Sequence, residues 1–335
     1  MRVVVIGATG NVGTSVLQAL AGEPEVEEVV ALARRAPSSL SPKTTFRAAD
    51  VTRDDLAPLL AGADAVIHLA WLIQPARNQP LVHDVNVRGT ERVAQAAASS
   101  GVPALIYASS VGTYSPGPKD REVDESWPTD GIPSSFYSRH KVAAERLLDR
   151  LEADRPELRV VRLRPALIFK AEAADEIRRY FAGHLFPRVV FARRLLPVVP
   201  DLPQLRFQAV HSLDVGDAFR RAAVSDARGA FNLAAPPVID PAALAGVLQA
   251  RRVRVPAQVL RAGADLSYRL RVQPVEPGWL DLALQVPLMD TGRARRELGW
   301  SASRDAVSCL RELLDGMGAG TGLPTPPLAA RYSSR

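Results

Sequence analysis

The sequence predicts an α/β protein, a doubly wound parallel sheet followed by a smaller, mostly helical C-terminal substrate lobe. Three observations carry that prediction. Short β-branched runs alternate with longer helical patterns through the first half. A glycine-rich turn directly follows the first run, and the alternation stops after Pro165. Strands joined by helical crossovers pair in parallel and are covered by helices on both faces.

Taken in order, residues 3–6, 29–33, 46–49, 65–69, 104–108 and 159–163 read as strands. Helical periodicity falls at 12–21, 54–60, 81–99 and 136–150. Residues 166–205 mix a short helical pattern at 173–181 with apolar runs broken by Pro and Arg, which suits an inserted lobe. Strand patterns return at 207–210 and 230–233 around a short helix at 215–223. From Pro236 the pattern is mostly helical, and "DTGRARRELGW" at 290–300 leads to a helix around 306–314. The expected division is therefore 1–165 plus about 206–235 for a nucleotide-binding domain. About 166–205 plus 236–315 would form the substrate lobe. The Gly-, Pro- and Ser-rich tail 316–335 is expected to be disordered. No internal repeat is present.

The 335 residues are 47% apolar and 23% charged, an ordinary soluble composition with enough chain for a large core. The formal charge of +6 raises the question of nucleic acid. Its arginines, however, are scattered as pairs (Arg34-Arg35, Arg178-Arg179, Arg193-Arg194, Arg220-Arg221, Arg251-Arg252). They lack aromatic interleaving or a zinc pattern, so small anionic molecules are the expected partners and nucleic acid is not. Cys309 is the only cysteine, which excludes an internal disulfide and a CxxC metal site and reads as a small buried apolar residue. The sequence opens on a strand with no signal-peptide pattern. The apolar stretch 185–200 contains Arg188, Arg193, Arg194 and three prolines, so no membrane span and a cytoplasmic location are expected.

The segment "GATGNVG" after the first strand places Gly7, Gly10 and Gly13 around Thr9, Asn11 and Val12. Glycines there allow a tight turn and close backbone approach to a pyrophosphate, which meets the positive end of the next helix. A ligand-free turn is the competing reading, but the strand–turn–helix context is the one a Rossmann-type dinucleotide site requires. The second strand ends "VVALARR". Ala33 stands where an acid would hold a ribose 2′-hydroxyl, and Arg34 and Arg35 follow. Guanidinium groups suit a 2′-phosphate, so NADP(H) is favoured over NAD(H), unless both arginines only solvate a strand end.

With further motifs in order, the chain resembles extended short-chain dehydrogenase/reductases of the NAD-dependent epimerase/dehydratase family. The likeness runs from Met1 to about Leu233, with an echo at 290–300. The elements are "GATGNVG", "ADV" at 49–51, "DAVIHLA" at 64–70, "VNVRGT" at 85–90 and "YASSVGTY" at 107–114. They continue with "YSRHK" at 137–141, "LRP" at 163–165 and "AVHSLDVGDA" at 209–218. The resemblance implies that Asp50 and Val51 contact the adenine and that Leu69, Ala70 and Trp71 line the cofactor cleft. Many relatives have a small residue at the Trp71 position. It also implies that Ala108, Pro165 and Ile168 belong to the cofactor site and that Asn86 supports the active site from the helix at 81–99. Aligning Tyr114 with the tyrosine that closes the serine motif makes Ser110 the active-site hydroxyl and Ser109 its neighbour. A homodimer through the fourth and fifth helices would be typical of the family.

Tyr137 and Lys141, four residues apart, share one helix face. Such a pair alone is common, and a solvated surface is its ordinary meaning. Ser110 follows the fifth strand, so all three can meet at the carboxyl ends of the strands, where such sheets bind ligands. An ammonium about 4 Å from the phenol at an effective dielectric near 20 would favour phenolate by roughly 4 kcal/mol. That would bring a tyrosine from about 10 to near 7. The expected chemistry is hydride transfer between nicotinamide and a hydroxyl or carbonyl substrate. Tyr137 would move the proton, Ser110 would hold the reacting oxygen, and Lys141 would tune the phenol and hold the nicotinamide ribose. No metal is required, and His68, His83 and His211 read as structural.

Departures from the family pattern narrow the substrate. "RPALIFK" replaces the usual glycine-rich turn after Arg-Pro, and Phe207 stands where many sugar-nucleotide enzymes carry an arginine four residues before His211. Arg206 is one position off and would face the other side of a strand. Arg178, Arg179 and Tyr180 are candidates for an anionic or aromatic substrate, or for a solvated helix face. Val111-Gly112 replaces the Asp-Glu pair of dehydratases. The leading expectation is an alcohol dehydrogenase or ketone reductase, acting on an alcohol, ketone or sugar-type substrate. Two alternatives stay open: a nucleotide-sugar epimerase or dehydratase using bound NAD(P), and a non-catalytic NADP(H)-sensing regulator.

Overall fold

The computed structural model describes residues 1–74, 77–181, 188–192 and 196–329. Arg193 and Arg194, and 185–187 of the apolar stretch, lie outside the described residues.

Seven strands form the central sheet: β1 (Arg2–Ile6), β2 (Glu28–Ala33), β3 (Thr44–Ala48), β4 (Ala65–His68), β5 (Ala104–Ala108), β6 (Arg159–Pro165) and β7 (Gly229–Leu233). Their order is β7-β6-β5-β4-β1-β2-β3, every pair parallel. The strands are continuous apolar runs because both faces are covered. Successive residues of β1 alternate between two cores. Val3 and Val5 pack with the helices α1 (Asn11–Ala21) and, later in the chain, Ser212–Val224. Val4 and Ile6 pack on the other face with α2 (Gly89–Ser99) and α3 (Phe136–Asp154). The strand order reverses between β1 and β4, which opens a crevice at the carboxyl ends of the strands.

Five details differ from the sequence reading. The helix expected at 81–99 is broken into Gln79–His83, a π-helical turn at Asp84–Arg88, and α2. The helix expected at 54–60 is reduced to Ala57–Leu60. Asp50 accepts from the Thr52 amide and Asp54 from the Asp50 amide, so short acidic side chains compete with helical pairing there. The strand Phe207–His211, expected in the nucleotide domain, pairs instead with Leu167–Phe169 and Ala235–Ile239 in a second sheet. Ala235–Ile239 is a strand where helix was expected. Its two prolines fit a sheet edge, where no ladder donor is needed.

The fifth difference is the tail. The last helix continues through Gly316 to Ala319 and is capped by Gly320 at φ +67, and residues 321–329 are packed, with Leu328 1% exposed. Composition signalled disorder, but the described part of the segment, to Ala329, has a surface of the domain to lie on, and 330–335 lie outside the described residues. Cys309 is buried in the apolar cluster beneath that last helix. Among the described residues, no helix is long and apolar enough to cross a membrane.

Candidate active site and cofactor cleft

The glycine turn crosses the end of β2, where the Gly7 and Ala8 amides both donate to the Leu32 carbonyl at 2.8 and 3.3 Å. Gly7 has φ +87, and a Cβ there would lie 2.7 Å from the Ala70 amide nitrogen. At Gly13 it would lie 2.4 Å from the Gly7 carbonyl oxygen. Packing therefore demands both glycines. Gly10 differs: a Cβ would meet only the Gly7 oxygen, at 3.6 Å. Gly10 also caps α1 with no side-chain oxygen, leaving the first amides of an 11-residue helix pointing into the crevice. Open space and unclaimed donors fit a pyrophosphate.

Two adjoining cavities extend from this turn. The first, about 180 Å³, is lined by Thr9, Ala33, Arg34, Arg35, Asp50, Val51 and Ala70 among others. Arg34 and Arg35 are exposed at its rim, and neither has a hydrogen-bond or ion-pair partner among the described residues. Partial burial raises the Asp50 carboxyl, but hydrogen bonds from Thr52 and the charges of Arg34 and Arg53 outweigh it and hold the group below its usual range.

The second cavity, about 310 Å³, carries Ser110, Tyr137 and Lys141 on one wall. Ser135 caps α3 by accepting from the Ser138 amide. Ser138 in turn donates to the Gly112 carbonyl, locking the start of α3 against the loop after β5. A Cβ at Gly112 would lie 3.0 Å from Cε1 of Tyr137, so the small residue makes room for the phenol. The Ser110 hydroxyl accepts from the Gly112 amide at 3.0 Å. The buried Lys141 Nζ donates to the Ala108 carbonyl at 2.6 Å and sits 3.4 Å from the centre of the Trp71 ring.

The phenol does not reach the neutral range expected of it. Burial pushes Tyr137 up to about 12, with a Ser110 hydrogen bond pulling the other way. Burial also pulls Lys141 well below its usual value, opposed by Glu145. The Lys141 Nζ lies 5.8 Å from the centre of the Tyr137 ring, and desolvation dominates the phenol's environment.

Every residue expected at the cofactor lines one of these cavities: Gly7, Thr9, Gly10, Asn11, Val12, Gly13, Arg34, Arg35, Asp50, Val51, Leu69, Ala70, Trp71, Ala108, Tyr137, Lys141, Pro165 and Ile168. Asn86, expected among the catalytic group, lines neither. It is fully buried on the π-helical turn. Its amide accepts from the Leu72 N–H at 2.7 Å and donates to the Leu72 carbonyl at 2.8 Å. Both bonds hold the Trp71–Leu72 segment, so Asn86 is a positioning residue.

Arg178 and Arg179, candidates for an anionic substrate, both pair with the buried Asp175. Tyr180 does line the cavities, while its hydroxyl donates to Glu176 at 2.9 Å. Glu176, Phe181 and Trp279 are cavity residues that sequence reasoning missed. They come from helices far along the chain, and no local pattern marks them. His68 hydrogen-bonds Thr90 at 3.0 Å, and burial and then Lys141 drive it down to about 3. His211 pairs with Glu312 at 3.1 Å. Among the described residues, no group of three potential metal ligands occurs.

Comparison with known proteins gives this geometry a context. The model of the NAD dependent epimerase/dehydratase family matches residues 3–234. A decarboxylating sterol-4-alpha-carboxylate 3-dehydrogenase of Saccharomyces cerevisiae is 30% identical over 180 residues, 50% of this chain and 51% of that protein. An N-acetyl-alpha-D-glucosaminyl-diphospho-ditrans,octacis-undecaprenol 4-epimerase of Escherichia coli is 33% identical over 173 residues, 50% and 49% of the two chains. The matched stretch thus spans about half the length of these curated relatives. Among solved structures, a UDP-glucose-4-epimerase from Stenotrophomonas maltophila with bound NAD and formylated UDP-arabinopyranose superposes with a TM-score of 0.70. It is 21% identical and covers 95% of this chain and 98% of that one, a likeness of fold.

Proposed function

The chain belongs to the NAD dependent epimerase/dehydratase family, and from that premise we propose that it is a nicotinamide-dependent oxidoreductase acting on an apolar alcohol or ketone. The observation that carries the reading is the cavity holding Ser110, Tyr137 and Lys141. The same cavity is lined by Ile73, Phe169, Ile177, Phe181, Trp279 and Leu282, and no arginine lines it among the described residues. A diphosphate would find no guanidinium there, while a hydrocarbon ring system would bury well.

Bound in the cleft, the nicotinamide supplies or accepts the hydride. The protein's own groups handle the oxygen and its proton. In the direction of reduction, the Tyr137 hydroxyl donates its proton to the carbonyl oxygen, a task suited to a phenol whose pKa burial holds up. The Ser110 hydroxyl hydrogen-bonds the same oxygen as negative charge develops. Lys141, fixed by the Ala108 carbonyl, lines the cleft, where its protonated form stabilises phenolate once the proton has left. Arg34 and Arg35, at the cavity rim beside Ala33 and with no hydrogen-bond or ion-pair partner among the described residues, support NADP(H) over NAD(H). A homodimer through the faces of α2 and α3 accompanies the reading and would appear as a doubled mass in light scattering.

Epimerisation of a sugar substrate is the second reading. The undecaprenol-linked epimerase among the relatives favours it, because the same Ser-Tyr-Lys chemistry would serve both reactions. A non-catalytic sensor would have no use for three reactive groups around one cavity. The deciding experiment incubates the protein with NADPH or NADH and a panel of cyclic ketones, secondary alcohols and UDP-sugars. Net cofactor turnover with an apolar ketone supports the oxidoreductase. Epimerised sugar without net turnover would replace it with the second reading.

A further inference from the structure

The segment after the last helix, expected to be loose, is tied to the glycine turn that lines the cleft and to two elements beside it. The Thr325 hydroxyl, buried, donates to the Thr9 carbonyl in the glycine turn at 2.9 Å. The Pro324 carbonyl accepts from both the amide and the hydroxyl of Ser38, at 3.2 and 2.7 Å, just beyond the Arg34-Arg35 pair. From the lobe side, Arg179 donates to the Pro327 carbonyl at 3.0 Å. The segment is also folded on itself, with the Leu328 and Ala329 amides bonded to the Thr325 carbonyl at 3.0 and 2.8 Å. Pro326 and Pro327 complete the wall of the cavity that holds Arg34, Arg35, Asp50 and Val51.

We infer that residues 321–329 are a strap that forms part of the dinucleotide site, closing the adenosine half of the cofactor into its cleft. Two consecutive prolines present an apolar surface with fixed φ and no amide donors to leave unsatisfied, which suits the face of a purine. Thr325 holds the glycine turn in place, and Ser38 holds the loop that carries the arginines. The strap therefore acts on phosphate and ribose recognition as well as on the base. Exchange of the cofactor requires the strap to lift, so affinity and residence time both depend on it.

The inference rests on reading the cleft as a dinucleotide site, and the test separates the two. NADPH affinity and dissociation rate are measured by fluorescence for the wild-type chain, a chain ending at Gly320, a chain ending at Ala329, and Thr325→Val. The deletion from 321 is expected to speed NADPH release by at least about ten-fold. Thr325→Val, which removes one hydrogen bond at constant volume, should speed it by about three- to ten-fold. The chain ending at Ala329 should match the wild type. Adenosine 2′,5′-bisphosphate should weaken in parallel with NADPH, while nicotinamide mononucleotide should not. Should the longer deletion fail to fold, Thr325→Val and the double change Pro326→Gly, Pro327→Gly decide. Release rates within two-fold of wild type in these variants overturn the strap while leaving the dinucleotide site standing. A wild-type chain that binds neither NADPH nor NADH overturns both.

Discussion

Two neighbouring serines just after β5 both line the cavity of Tyr137 and Lys141, yet they enter two different hydrogen-bond networks. Ser110 looks into the cavity with Tyr137 and Lys141. Ser109 donates to Glu145, which forms a buried, two-pronged pair with Arg164, both side chains 6% exposed. Arg164 also donates to the Tyr114 hydroxyl, which donates to Asn232 at 2.6 Å. Lys141 and Glu145 are one turn apart on α3, so the same helix serves both sides. In the Glu145 network the charges are matched and hydrogen-bonded; on the Lys141 side a charge is buried beside aromatic rings, with groups facing open cavity. The comparison teaches that burial of a charge does not by itself mark a reactive site. What marks it is burial with bonding capacity directed at a space a ligand could occupy.

That contrast fails if both sides respond alike to substitution. The largest effect is expected for Tyr137→Phe, which should lower kcat by about 10²–10⁴-fold while leaving the thermal midpoint nearly unchanged. Near-normal turnover in that variant would remove Tyr137 from the chemistry. Glu145→Ala should act first on stability. Leaving Arg164 buried and unpaired costs roughly 3–5 kcal/mol of stability, read by urea unfolding, and the Lys141 pKa falls further as its carboxylate neighbour is removed.

Arg34→Ala probes the cleft at a distance from both. NADPH binding should weaken by about ten-fold, the scale of one charge-assisted contact, with NADH binding little changed. Equal losses for the two cofactors would make the arginine a general phosphate attractor instead.

The mildest test varies pH. With Tyr137 held up to about 12 it stays protonated through the neutral range. Reduction, which needs the proton on the phenol, should be flat from about pH 6 to 9. Oxidation, which needs phenolate, should rise by about ten-fold per pH unit until the pH reaches the pKa of the phenol in the complex. A flat oxidation profile would mean that the phenol is already ionised in the complex.

Some of this site was legible in the chain because local geometry writes itself into sequence. Gly7 and Gly13 are required by a turn in which a Cβ meets backbone, and Tyr137 with Lys141 follow from helical spacing. Asn86 was legible as a position, while only the fold shows its amide bonded to Leu72. For the phenol, sequence supplied the charge partner, but not the depth of burial that opposes it.

By itself, the sequence determined the strand–helix alternation of the first half, the glycine-rich turn and the helical spacing of the tyrosine–lysine pair, since each depends on residues within a turn or two of one another. Only the tertiary structure decided which groups close over the cleft. Trp279 and Phe181 meet ring to ring at 5.0 Å across nearly a hundred residues, and Thr325 reaches Thr9 across 316 positions. No pattern within a stretch of chain records contacts of that range, because they are fixed by how whole elements pack and not by the conformational preferences of their own residues.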